Sequence, residues 1–133
     1  MTISAEDRFE IQDVITQLYQ ALDNHQGSDY ASFFTLDGRL ENESFGVIMG
    51  REAIAKFIQA HCEAGNENGA LHCISNLLIE QSETEKVTVR AEVMKFRVSV
   101  IPPELWVSSF VTAQMHHVET QWQVAQFNLG IRS

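Results

Sequence analysis

The chain has little sulfur and little positive charge: two cysteines, Cys62 and Cys73, and nine Lys and Arg against eighteen Asp and Glu in 133 residues. Two isolated cysteines are too few for a disulfide scaffold and lack the close pairing of a metal site. Both are expected to be small buried thiols. A net charge of -9 and a pI near 4.9 argue against nucleic acid as a partner, because a phosphate backbone is bound by clustered Lys and Arg. No run approaches the roughly 18 apolar residues of a membrane span, and the stretch from Met1 to Asp7 is acidic with no apolar signal segment. No membrane partner and a cytoplasmic location are therefore expected. Also missing are a glycine-rich phosphate loop, a nucleophile elbow and a clustered Cys/His motif, which leaves phosphate chemistry, covalent serine catalysis and metal binding without support.

What is present reads as one domain over residues 1–133, with a hydrophobic fraction of 44% and a charged fraction of 20%, enough for an ordinary packed core. Ile11, Val14, Ile15, Leu18 and Leu22 fall on one stripe of a helix from Ser4 to Asp23, opened by a capping box in which Asp7 replaces Glu. Asn24 to Gly27 ends it, and Ser28 is expected to cap a short second helix through Phe34. Asp37-Gly38 reads as a turn before a strand over 39–47, and Gly50 begins a third helix with Ile54, Phe57, Ile58 and His61 on one face. Residues 63–70, rich in Gly and Asn, form a loop. Strands at 71–81 and 86–101 flank a turn at 82–85, and strands at 106–118 and 122–131 flank a turn at 119–121, with Pro102-Pro103 separating the two hairpins. Helices first and strands after predict an α+β fold in which a curved antiparallel sheet wraps around helices as a cone-shaped barrel with an internal pocket.

Tyr19 and Asp23, four apart, stack on one side of the first helix at the edge of its apolar stripe. A phenol can donate to a carbonyl or enolate oxygen, and a carboxylate can orient a histidine. His72 shares one strand face with Ile74 and Asn76 by period-two alternation; if the sheet curls around the first helix, His72 and Asp23 meet. His116 and His117 are adjacent on a strand and point to opposite faces, so at most one faces the pocket and the two do not ligate one metal. Phe34, Phe57 and Phe110, with Phe33, Phe96 and Trp106, are the aromatic candidates for an apolar wall.

The order Tyr19-Gln20-Ala21-Leu22-Asp23, Phe33-Phe34-Thr35-Leu36-Asp37-Gly38, Gly50-Arg51-Glu52-Ala53-Ile54-Ala55-Lys56-Phe57, His72 with Asn76, and Trp122-Gln123-Val124 resembles the SnoaL-like group. That group belongs to the superfamily of nuclear transport factor two, ketosteroid isomerase and scytalone dehydratase. The resemblance implies a cystatin-like α+β cone, a homodimer formed through the sheet and a pocket that works without cofactor or metal. It implies that Tyr19, Asp23 and His72 occupy the positions of a dehydratase's catalytic groups, with Tyr30 as a second phenol and Asn76 as a pocket amide. The chain departs from the group's patterns at three places. Met94-Lys95-Phe96-Arg97-Val98 offers cations where a second acid or base is common, Glu41-Asn42-Glu43 stands where ketosteroid isomerases carry an Asp base, and Gln126 stands where an Arg is frequent. The expected function is a dehydratase or isomerase for a small apolar carbonyl compound, steroid-like, polyketide-like or terpenoid, with His72 as base, Asp23 orienting it and Tyr19 donating to the enolate. The alternative is a non-catalytic ligand carrier or dimeric scaffold of the same shape.

Overall fold

A computed structural model describes residues 3–131; the outermost ends of the domain expected over 1–133 lie outside the described residues. Helix α1 (Ala5–Asp23) starts at the capping box: the Ser4 hydroxyl accepts from the Asp7 amide at 3.0 Å, and the Asp7 carboxylate accepts from the Ser4 amide at 3.3 Å. Helix α2 (Gly27–Ser32) is capped at Gln26, so Ser28 lies inside it rather than at its start. The reason is Gly27. A Cβ there would stand 2.7 Å from Ala55 O and 2.9 Å from Gln59 N, so only glycine lets α2 cross helix α3 (Arg51–Glu63) at backbone contact. Gln59 Oε1 then accepts from the Gly27 amide at 3.1 Å.

Strand β1 (Phe34–Asn42) runs through Asp37-Gly38, where a turn was expected. The chain reverses instead after Asn42, whose Oδ1 accepts from the Ser44 and Phe45 amides at 2.9 Å each and leads into β2 (Gly46–Met49). The Asp37-Gly38 segment is a register irregularity against the last strand; Gly38 O accepts from the Gly50 amide at 2.8 Å, and Arg51 donates to Phe34 O at 3.0 and 2.5 Å. Strands β3 (Ala70–Glu83), β4 (Lys86–Arg97), β5 (Glu104–Val118) and β6 (Gln121–Ile131) form the two expected hairpins. Strand β4 stops earlier than expected because its partner β3 begins at Ala70, opposite Arg97.

The six strands make one curved, unclosed sheet in the order β2-β1-β6-β5-β4-β3. It is not wholly antiparallel. The chain returns to β1 only at its last strand, so β6 lies parallel to β1, with Leu40 opposite Phe127, while the other pairs are antiparallel. Alternation sends Val87, Val89, Ala91 and Val93 of β4, and Val111, Ala113 and Met115 of β5, to the buried inner face. Against that face packs the stripe of α1, which touches β3 and β6. Trp122 fastens the two ends of the layer, its amide donating to Glu10 at 2.7 Å and its Nε1 to Asp7 at 3.0 Å. Cys62 is buried, but Cys73 is exposed, because the alternation that turns His72 inward turns its neighbour outward. Among the described residues no helix is long and apolar enough to cross a membrane.

Candidate functional site

Asp23 is the last residue of α1 and His72 the third of β3, and the packing of the helix on that strand brings them together. Asp23 grips His72 with both oxygens. Oδ1 lies 2.6 Å from His72 Nδ1, and Oδ2 accepts from the His72 backbone amide at 3.1 Å. An ionised carboxylate only accepts, so Nδ1 carries the hydrogen and Nε2 is left as the lone-pair nitrogen. The pair is shielded, with 8% of the His72 side chain and 13% of the Asp23 side chain exposed. One turn before Asp23, the Tyr19 ring leans on the imidazole with 5.0 Å between centroids.

His72 and Tyr19 line a cavity of about 450 Å³ between the helices and the inner face of the sheet. One end is polar, with Tyr19, Tyr30, His61, Glu67, His72 and Lys95. Phe45, Phe57, Ile58 and Leu129 give the cavity a largely apolar wall, with Asn42, Ser44, Asn66 and Ser109 as further polar groups on the lining. Burial pushes the phenols of Tyr19 and Tyr30 up from their ordinary range, helped by the negative charge of Glu67 on both and of Asp23 on Tyr19. Both phenols therefore keep their protons and remain donors.

Of the aromatic residues singled out in the sequence, Tyr30 and Phe57 lie on the cavity wall, and Phe34 and Phe110 do not. Phe34 is fully buried in the core, 5.7 Å from the Tyr30 ring and 6.3 Å from Phe127. Phe110 follows the inward Ser109 on β5 and so stands on the outer face, where a Cβ on Gly130 would be 2.2 Å from its ring. Asn76 leaves the inner face as well: a register shift between Ser75 and Leu78 gives it a left-handed φ of 53° and exposes it, breaking the alternation that joined it to His72. Neither His116 nor His117 reaches the cavity; His117 packs on Trp122, with 5.1 Å between rings.

Two charged groups on the cavity wall, Lys95 and Glu67, were not among the sequence candidates for the site. Lys95 stands directly across from His72 in the β3–β4 register; a residue count outward from the turn at 84–85 would have named Arg97, because two register shifts lie between the turn and His72. Glu67 comes from the loop before β3, where only its company of Gly and Asn was legible. It is buried, and its Oε2 receives His61 Nε2 at 2.6 Å and Lys95 Nζ at 3.0 Å. Burial alone would raise its carboxyl, but the hydrogen bonds from His61 and Lys95 and the charge of Lys95 outweigh that and hold it below the usual carboxylate range. The loop is tied down from the other side by His25, whose Nε2 lies 3.1 Å from Glu67 O. Two carboxylates and one ammonium leave the site with one net negative charge while its histidines are neutral. Glu41, on β1, accepts from Gln126 at 2.7 Å and Asn128 at 3.0 Å and does not line the cavity, so it supplies no base there. Among the described residues no group of three or more His, Cys, Asp and Glu is gathered as a metal site.

A family model described as the SnoaL-like domain matches residues 4–128. Among solved structures, a protein of unknown function with a cystatin-like fold from Nostoc punctiforme is 21% identical, covers 99% of this chain and 96% of its own, and superposes with a TM-score of 0.88. A provisionally assigned scytalone dehydratase from Novosphingobium aromaticivorans is 18% identical over 96% of this chain and 85% of its own, with a TM-score of 0.78. From the same organism, a provisionally assigned aromatic ring hydroxylase is 17% identical over 99% of this chain and 93% of its own, with a TM-score of 0.81. No curated protein matches the chain.

Proposed function

The chain belongs to the SnoaL-like domain family, and on that premise we propose that it is a dehydratase or isomerase that works by proton transfer on a small, largely apolar carbonyl compound. What carries this reading is the Asp23–His72 contact of 2.6 Å at the wall of the cavity, which commits Nδ1–H to the carboxylate and leaves Nε2 as a base. His72 Nε2 takes a proton from the carbon beside the carbonyl, and Asp23 stabilises the imidazolium that forms. Tyr19 donates to the enolate oxygen as charge develops on it. The enolate then collapses by loss of a β substituent or by protonation further along the chain of carbons. The apolar wall around Phe57 and Leu129 favours a hydrophobic skeleton over a polar one.

We propose further that the protein is a homodimer through the outer face of the sheet, where Leu71 stands opposite Phe96 and Phe96 opposite Leu105, with Leu71 and Leu105 both exposed. Sedimentation equilibrium tests this, and a Leu105→Glu variant should be monomeric.

Proton exchange tests the chemistry without knowledge of the natural substrate. Incubated in D2O with a neutral bicyclic ketone such as 1-tetralone, the wild type should exchange the hydrogens next to the carbonyl faster than buffer alone, and His72→Ala should not. Binding of the ketone with no exchange above buffer would sink the enzyme and leave the ligand carrier.

A further inference from the structure

We propose that Arg97 is an anion-binding subsite at the mouth of the cavity, so that the ligand is an amphipathic acid: an apolar body inside, and a carboxylate or phosphate held outside beside Trp106. This names the substrate class of the reaction proposed above and rests on that reading only for the cavity being where the ligand binds. The inner face of the sheet does not end at the cavity wall. His72, Lys95 and Val107 form one row across β3, β4 and β5, and all three line the cavity. By alternation the next inward position on β4 is Arg97, its last residue, opposite Ala70 and Glu104. On β5 the corresponding place is taken by Trp106 through a bulge. The register runs Lys95 to Val107 and then Phe96 to Leu105, so Trp106 is an extra residue, and its ring lies 4.1 Å from Lys95 Nζ and 4.5 Å from Arg97 Cζ. A regular strand would have turned the ring to the outer face, away from both. Trp106 is 37% exposed, so this step of the inner face reaches solvent.

The two cations on that ring differ in what they have left to bind. Lys95 donates to Glu67 Oε2 at 3.0 Å and to Asn66 O at 2.9 Å, and its charge is matched by the buried carboxylate. Arg97 has no such match: among the described residues no carboxylate forms an ion pair with it, although Arg39, Lys56, Lys86, Arg90 and Lys95 each have one in a chain with twice as many acids as bases. A guanidinium stacked on an indole is held in orientation while its N–H edge stays free to donate. That fork fits the two oxygens of a carboxylate or phosphate and gives little to a neutral carbonyl.

Charge decides which end of the ligand goes where. Within the cavity Asp23, Glu67 and Lys95 leave one net negative charge, which opposes an anion near His72. At Arg97 the anion meets a cation in direct contact, and Coulomb attraction at contact outweighs repulsion from a charge farther off. An acid therefore enters with its apolar end first, along Phe57 and Leu129, and its oxyanion stays at the rim. A neutral ketone has nothing to fix it this way round.

The test measures binding of 1-tetralone, 1-tetralone-6-carboxylate and the phosphate ester of 6-hydroxy-1-tetralone to the wild type and to Arg97→Gln, by NMR titration at low salt. The wild type should bind at least one of the two anions about fivefold or more tighter than 1-tetralone, the range of a charge-assisted pair at a part-exposed site, and the tighter of the two identifies the oxyanion. In Arg97→Gln that ratio should fall below about twofold. A wild-type preference below about twofold for both anions, binding of no ketone included, overturns the proposal, as does a preference that survives in Arg97→Gln, which would assign it to Lys95. The first of these needs no variant, so it holds even if Arg97→Gln does not fold. Deuterium exchange of 1-tetralone without the anion preference removes the subsite and keeps His72 as base; the preference without exchange does the reverse.

Discussion

Replacing Asp23 by Asn keeps the side chain's shape and removes its ability to accept twice. In the native protein both oxygens take hydrogens from one residue, the ring Nδ1–H at 2.6 Å and the backbone amide at 3.1 Å. Asparagine has one acceptor. The backbone amide cannot change its donor character, so the Asn oxygen stays on it and the NH2 faces Nδ1. The ring then accepts at Nδ1 and carries its hydrogen at Nε2, which is the nitrogen that has to act as base. A correctly held general base contributes about 100-fold to 10,000-fold. Exchange of 1-tetralone hydrogens in D2O should therefore fall about 100-fold or more in Asp23→Asn, at least about 2.7 kcal/mol of barrier. The same variant should lose only about 1 kcal/mol of stability, since one hydrogen bond is rearranged rather than left unmade. The ring nitrogens report the cause directly: in 15N NMR the protonated-type signal should move from Nδ1 to Nε2. An exchange rate within about threefold of wild type, or an unchanged tautomer with a lowered rate, would refute the reasoning.

Tyr19→Phe keeps the ring contacts with His72 at 5.0 Å and Phe127 at 6.1 Å but removes the donor to the enolate; exchange should drop about 100-fold, the scale of one lost oxyanion donor, with an unchanged melting temperature. A drop in the melting temperature without loss of rate would assign Tyr19 to packing alone. Because the Glu67 carboxyl is held below its ordinary value of 4.5, the unfolded chain protonates first on acidification. Its contribution to stability is complete above that value and is lost as pH falls from about 4.5 through the folded value. Lys95→Met removes a cation from this buried carboxylate and should cost about 3 kcal/mol at pH 7 while flattening the acid limb, read as the urea midpoint against pH; an unaltered limb would contradict the assignment. Gly27→Ala places a Cβ 2.7 Å from Ala55 O and should cost about 2 kcal/mol in chemical denaturation, whereas a neutral result would mean that the α2–α3 crossing yields easily.

The parts of this molecule that were legible in its sequence are those governed by period and by local hydrogen bonding. The α1 stripe and its cap follow from spacing and from the Ser4–Asp7 exchange, and the two hairpins of β3 to β6 follow from apolar runs around polar turns. The reading failed wherever a contact distant in sequence decided the outcome. Asp37-Gly38 has the composition of a turn, but Arg51 and the Gly50 amide hold the flanking carbonyls, and the strand continues. The parallel pairing of β1 with β6 was invisible for the same reason, since no local signal names a partner at the far end of the chain. Asn76 was lost to a bulge, and a bulge shifts every alternation argument beyond it by one residue.

The site obeys the same division, with a consequence for how its roles are assigned. Tyr19, Asp23 and His72 lie on regular elements, so period alone told which faces they share. Glu67 lies on an irregular loop, and its position depends on His25, His61 and Lys95, three residues from three other segments. A carboxylate that needs so many separate anchors is set far more narrowly than one placed by a single helix. The anchors leave Oε2 fully engaged and Oε1 with no partner, 3.8 Å from the very nitrogen that Asp23 frees to act as a base. The regular elements supply the base; the loop sets a second carboxylate beside it. Variants of the loop anchors should therefore lower the urea midpoint while leaving the hydrogen of His72 on Nδ1, read by 15N NMR, because Asp23 and not the loop holds that nitrogen.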